Sequence, residues 1–294
     1  MGGEEFGLEV PHYRETYLDL ETVVMVMPIK LASEIPARSI GICWLGQSSY
    51  LLASPSGTVV ALDPYLSNAC KALGDKAGIN MDRKFPPPLS PADLVGVDGC
   101  LLTHGHEDHL DPETVLPYRS AGGRGPFFAP AETIEKLERL GVPAEELRMM
   151  WPNKVVEIGD FTVRGSFAIP FGADDLTHMG YLITVKNGPT VYFTGDTRYH
   201  ENLADYVRPH APDVLVTVIN PFGNMDPGQA ARLARDLGVK IVIPGHYDLF
   251  PDNTIAPKYL QMNLMVLDRG GIYRELERGK FYVYPETAPG GVAS

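Results

Sequence analysis

The segment Thr103-His104-Gly105-His106-Glu107-Asp108-His109-Leu110-Asp111-Pro112 carries the chemistry of this chain. Three histidines and an aspartate fall within six residues, directly after the apolar run from Val97 to Thr103. Imidazole and carboxylate together are the donor set for zinc, manganese or iron. His104 and His106 can aim at one point, and Asp108 and His109 at a second. The plain alternative is a polar surface loop. Against it, the chain has only 8 histidines, and a local cluster of a scarce residue usually binds metal. Asp111 and Pro112 read as N-cap and first residue of a helix that starts just beyond.

Three more apolar runs end in a residue able to ligate or support a metal. Val59 to Leu62 runs into Asp63, Val191 to Gly195 into Asp196, and Ile241 to Gly245 into His246. Taken alone, Asp196 can be a turn residue after glycine, and His246 a core histidine. Strand ends that share one rim of a sheet converge, so all of them read together as one site.

The elements that must position these residues follow from pattern. Ser39 to Leu45, Tyr50 to Ala53 and Thr58 to Leu62 read as strands, with a hairpin turn at Ser54-Pro-Ser-Gly57. Phe161 to Ile169, Tyr181 to Val185, Thr190 to Thr194, Asp213 to Ile219 and Val239 to Ile243 read as further strands. Ala131 to Leu140, Pro227 to Leu237 and Ile255 to Leu267 have helical spacing, the first two closed by Gly141 and Gly238. Residues 66–92, with Gly74, Gly78 and Pro86-Pro-Pro88, read as a long irregular loop. Its part from Ser67 to Leu89 leaves from the Asp63 rim, so that part is expected to border the site and help choose the substrate. Strands followed by strand–helix alternation imply packed sheets with helices outside. Residues 1–38 read as an N-terminal extension and 39–294 as a single domain.

Composition narrows the function. Lys plus Arg number 25 against 37 Asp plus Glu, a net charge of -12. That balance repels phosphate backbones and counts against nucleic acid. No run is long enough to span a bilayer, and the start of the chain has no signal-peptide pattern. Three cysteines in separate segments form no disulfide framework or zinc ribbon. The expected class is a cytoplasmic protein acting on a small molecule, with a homo-oligomer open.

The ordered set His104-x-His106-x-Asp108-His109, Gly195-Asp196 and Pro244-Gly-His246 resembles the metallo-β-lactamase-fold hydrolases. Trp44-Leu-Gly, Phe85-Pro-Pro, Gly195-Asp-Thr-Arg-Tyr199 and Ile243-Pro-Gly-His-Tyr-Asp248 resemble, more narrowly, the L-ascorbate-6-phosphate lactonase subgroup. The resemblance implies an αββα four-layer sandwich, an α+β arrangement with the site at one edge of the two sheets. It implies one or two divalent ions, Mn2+ or Zn2+. His104 and His106 would serve the first, Asp108, His109 and His246 the second, and Asp196 would bridge them. Asp63 would orient a ligand from behind. Most of the superfamily places a further histidine after the strand read here as Phe161 to Ile169. This chain has Pro170 and Phe171 there, and the nearest substitutes are Asp174, Asp175 and His178. His178 reads equally as a rim ligand or a strand-edge histidine. Arg198 and Tyr199, just after Asp196, would face the pocket, with Arg198 suited to a phosphate. The competing reading, the start of a solvated helix, is the stronger one.

The implied chemistry is hydrolysis by a metal-activated hydroxide, with Asp108 and Asp196 as catalytic carboxylates. The leading expectation is a lactonase acting on an anionic substrate, a phosphorylated or acidic sugar lactone. A phosphodiesterase for a small molecule or lipid would use the same residues. An inactive metal-binding module is the reading from another class.

Overall fold

The computed structural model describes residues 35–172 and 176–286. β1 (Ile40–Gly46), β2 (Ser49–Ala53) and β3 (Val59–Leu62) form an antiparallel meander. Its second turn is the expected hairpin: Gly57 N–H donates to Ser54 O at 3.1 Å, with Gly57 at φ +89. β4 (Gly99–Leu101), β5 (Phe127–Ala129) and β6 (Leu147–Met149) continue from β3 in parallel. A second sheet contains β7 (Val155–Ile158), β8 (Phe161–Phe167), β9 (Met179–Val185), β10 (Thr190–Phe193), β11 (Val214–Val218) and β12 (Ile241–Gly245). Its order is β12-β11-β10-β9-β8-β7. β13 (Phe281–Tyr284) returns to pair antiparallel with β1, so the first sheet runs β13-β1-β2-β3-β4-β5-β6.

Alternation along the strands builds the layers. Ile40, Ile42 and Trp44 of β1 point into the core shared with Val163, Tyr181 and Ile183 of the second sheet. Cys43 and Leu45 point to the other face. That face is covered by α2 (Pro112–Ser120) and α3 (Ala131–Arg139), through Val115, Tyr118, Ile134 and Leu137. The outer face of the second sheet packs on α4 (Glu201–Val207), α5 (Pro227–Leu237) and α6 (Lys258–Val266), through Leu203, Leu233 and Leu260. The result is helix, sheet, sheet, helix, the expected four-layer sandwich. Among the described residues no helix is long and apolar enough to cross a membrane. Residues 1–34 of the expected extension lie outside the described residues.

Two expectations change. The stretch 66–92 is not wholly irregular, because it contains α1 (Cys70–Ala77). Its glycines hid the helix, and each has a reason. A Cβ on Gly74 would lie 2.6 Å from Ile79 O, and Gly78 closes the helix in the left-handed region at φ +73. β5, β6, β7 and β13 have no strand signal in the sequence. At three or four residues each they are too short to show a period, and their pairing partners define them.

Tyr181 ties the sheets across the core. Its hydroxyl donates to Leu102 O at 2.8 Å, with Phe128 O at 3.2 Å, both on the first-sheet side. Tyr181→Phe leaves a buried carbonyl of Leu102 without that donor. The expected loss is about 1–3 kcal/mol in denaturant unfolding. An unchanged midpoint would show that the tie contributes nothing.

Candidate metal centre

Parallel strands carry their C-terminal ends to one rim, where open sheets place ligand sites. β3 ends at Asp63, β4 leads to Thr103 and His104, β10 leads to Asp196, and β12 leads to His246. Asp111 caps α2 as expected, accepting from Glu113 N at 2.9 Å, which fixes the His106–His109 loop between strand and helix.

The loop is held from beneath by Asp63. Its buried carboxylate accepts from Thr103 N at 2.7 Å and Thr103 Oγ1 at 2.6 Å. His109 Nδ1 lies 2.8 Å from Asp63 Oδ2. A carboxylate at Nδ1 favours a proton there and leaves Nε2 as the donor facing the site. Asp63 thus contacts His109 on the side away from the other ligand candidates.

Three groups of side chains bring their donor atoms within 4.8 Å of one another: His104, His106 and His178; His104, His109 and Asp196; and Asp108, His109 and His246. His109 Nε2 lies 3.5 Å from Asp196 Oδ1, and His246 Nε2 lies 3.3 Å from Asp196 Oδ2 and 3.2 Å from Asp108 Oδ2. His178 stacks tilted against His104 with ring centroids 3.8 Å apart. The strand register explains its arrival. Phe167 at the end of β8 pairs with Met179 at the start of β9, so a residue just before β9 occupies the same rim as one just after β8. Asp174 and Asp175 lie outside the described residues.

The donor set fits divalent cations. His109 Nε2 and Asp196 Oδ1 are buried without a hydrogen-bond partner among the described residues. The electrostatics demand positive charge. Burial opposes ionisation of Asp108 and Asp196, yet His109 and His246 hold both below the usual carboxylate range. Burial likewise opposes protonation of His246, but Asp196 and Asp108 push it up to about 9. His104, by contrast, is pushed down by burial and by its histidine neighbours, so it is a neutral donor.

Sequence reasoning missed two amides. Gln47, at φ +52 between β1 and β2, is fully buried. Its Nε2 donates to Asp108 Oδ2 at 3.1 Å and lies 3.0 Å from His246 Nδ1. Its backbone carbonyl accepts from Trp44 Nε1 at 3.0 Å and His246 N at 3.1 Å. Asn224 Nδ2 donates to Asp196 Oδ2 at 2.9 Å. Neither stands in a motif, since each reaches the site through a turn whose partners are distant in sequence.

A cavity of about 310 Å³ opens on these residues, lined by His106, Asp108, His178, Asp196, His246 and Asn224 among others. Cys70, Leu73 and Met81 also line it, so the 66–92 segment borders the mouth as expected. Arg198 and Tyr199 do not. Arg198 is exposed and absent from the lining. Tyr199 lines a separate groove with Arg232, whose guanidinium lies 5.6 Å from its ring centroid. The chain turns away after Thr197: Arg198 N–H donates to Ile169 O at 2.9 Å, and α4 starts soon after.

Asp63→Ala removes the acceptor of three buried donors at once. The expected cost is at least about 3 kcal/mol in unfolding free energy. Metal uptake is expected to weaken by about 10–100-fold, as for other groups that orient a ligand. Wild-type stability and uptake in this variant would remove Asp63 from that role.

Comparison with known proteins agrees with this geometry. The model of the family described as "Beta-lactamase superfamily domain" matches residues 59–247. A protein of Herpetosiphon aurantiacus named "UPF0173 metal-dependent hydrolase" is 29% identical over 252 residues, covering 83% of this chain and 98% of its own. A protein of Escherichia fergusonii named "Probable L-ascorbate-6-phosphate lactonase UlaG" is 26% identical over 258 residues, covering 74% and 72%. The solved structure of Igni18, a metallo hydrolase from Ignicoccus hospitalis, has a TM-score of 0.67 at 20% identity, covering 85% of this chain and 100% of its own. With the site at one edge of two packed sheets and the matching model spanning more than half of the sequence, the chain belongs to the β-lactamase superfamily, as a metal-dependent hydrolase of the metallo-β-lactamase fold.

Proposed function

We propose that this hydrolase opens a lactone or a related ester bond. The observation that supports it most is the pair of donor trios, His104–His106–His178 and Asp108–His109–His246, with Asp196 close to His104 of the first and to His109 and His246 of the second. In this reading His104, His106 and His178 would hold one divalent ion, Mn2+ or Zn2+. Asp108, His109 and His246 would hold the other, with Asp196 within reach of both groups. Such ions, when bound, polarise an electrophilic oxygen and bring the pKa of water to about 7. The chain's own residues do the rest. Asp63 fixes the His109 ring, and Gln47 Nε2 holds Asp108 and His246 in register. Asn224 orients Asp196. Asp108, which lines the cavity, or a nearby carboxylate would pass a proton to the leaving oxygen. The full set of donors supports an active enzyme over an inactive binding module.

The E. fergusonii relative, named for a lactonase, lends this reading its bond type. It does not extend to a phosphorylated sugar, because Arg198, the cation expected to hold a phosphate, is not on the cavity wall. The test has two parts. Metal analysis of protein purified without chelator should find about one equivalent fewer in His178→Ala and in His106→Ala than in wild type. A panel of lactones, carboxylic esters and phosphodiesters should show turnover of the first two, falling more than about 100-fold in Asp196→Asn. Unchanged metal in both histidine variants would remove the ligand assignment. Turnover of phosphodiesters alone would replace the lactonase reading with the phosphodiesterase one.

A further inference from the structure

The cavity has two unlike halves. Its floor carries the histidines and carboxylates, with Asn224 and Asn253 beside them. Its mouth is apolar: Leu73 and Met81 from the α1 segment, Phe171 after β8, and Phe222 before α5. Phe171 is 74% exposed and Phe222 61% exposed, a large open aromatic surface beside a buried polar site. Two phenyl rings exposed at the rim of a deep cavity mark a binding surface more than a packing accident.

The aromatic lip is also built. Gly223 lies at φ +84, and a Cβ there would fall 2.9 Å from Phe171 Cβ. Phe171 therefore sits directly on the Gly223 backbone. The next residue, Asn224, donates to Asp196. One short turn, Phe222-Gly223-Asn224, thus joins the apolar lip to the polar floor.

Charge selects the occupant. Among the described lining residues the carboxylates are Glu107, Asp108 and Asp196, and none is lysine or arginine. A phosphate or carboxylate on the substrate, away from the bond being cleaved, would find no cationic side chain among the described lining residues and would face Glu107. An uncharged apolar group would bury itself and the rings together, a gain that grows with the apolar surface covered.

We propose that the substrate is an uncharged ester or lactone carrying an apolar group of about ring size, which lodges against Phe171, Phe222, Leu73 and Met81. The inference rests on the ester-hydrolase reading of the same site. The experiment separates the two. Binding of acetohydroxamate and benzohydroxamate, two metal-chelating probes that differ by the ring, is measured by calorimetry on the metal-loaded full chain. Benzohydroxamate should bind at least about tenfold more tightly. A Phe171→Ala/Phe222→Ala double variant should bring the ratio to within about threefold of unity. A 4-carboxylate on the ring should cancel the advantage. Equal affinities in wild type, a ratio that survives in the double variant, or a preference for the carboxylated probe would each overturn the proposal. Steady-state kinetics then compares a phenyl-substituted lactone with a phosphorylated sugar lactone. Higher kcat/KM on the phosphorylated lactone overturns the proposal and leaves the lactonase reading standing. Ring-dependent hydroxamate binding with no turnover of any lactone or ester overturns that reading and leaves the apolar mouth standing.

Discussion

The rest of the site depends on the buried carboxylate of Asp63. It sits at the end of β3 and takes hydrogen bonds from the backbone and hydroxyl of Thr103, at the exit of β4, and from the His109 ring. These contacts link two neighbouring parallel strands to the loop that bears His104, His106 and His109. A charged acceptor buried among three donors is far stronger than a neutral one, and removing it would strand all of them. Asp63 itself lies at φ +43. Gln47 and His246 share that left-handed region, at φ +52 and +58. Such conformations cost free energy on non-glycine residues and persist only where the surroundings hold them. Here three of them ring one centre.

Electrostatics explains why a centre built this way suits a cation. Asp108 and Asp196 both approach His246 Nε2, at 3.2 and 3.3 Å, in a buried place. Two carboxylates that close repel each other unless positive charge lies between them. His109 and His246 supply it as protons, the latter pushed up to about 9. Divalent cations would supply the same charge while also satisfying His109 Nε2 and Asp196 Oδ1, two of the buried polar atoms without a hydrogen-bond partner among the described residues.

The fold turns this local chemistry into a cavity. Parallel strands from both sheets deliver Asp63, His104, Asp196 and His246 to one rim, and antiparallel β8–β9 pairing brings His178 to the same rim from the opposite chain direction. The loops above that rim supply the mouth. The floor is polar and braced by amides, whereas the mouth is apolar and open.

Much of the centre was legible in the sequence because its residues are rare types at short spacing. His104, His106, Asp108 and His109 lie within one turn of chain, so their proximity needs no tertiary information. Asp63, Asp196 and His246 each end an apolar run, and a strand that ends in a polar residue delivers it to an edge. The long strands and the capped helices were legible for the same reason, since hydrophobic period and cap residues are local signals. What only the tertiary structure decided is whatever depends on pairing between distant segments. His178 reaches its neighbours through the β8–β9 register, which periodicity does not encode. Gln47 and Asn224 act through turns whose partners are about 60, 200 and 28 residues away. Arg198 and Tyr199 look, in sequence, like neighbours of Asp196, but the backbone bond from Arg198 to Ile169 and the start of α4 carry them off the cavity. Adjacency along a chain sets distance for two or three residues. Beyond that, strand pairing and packing set it.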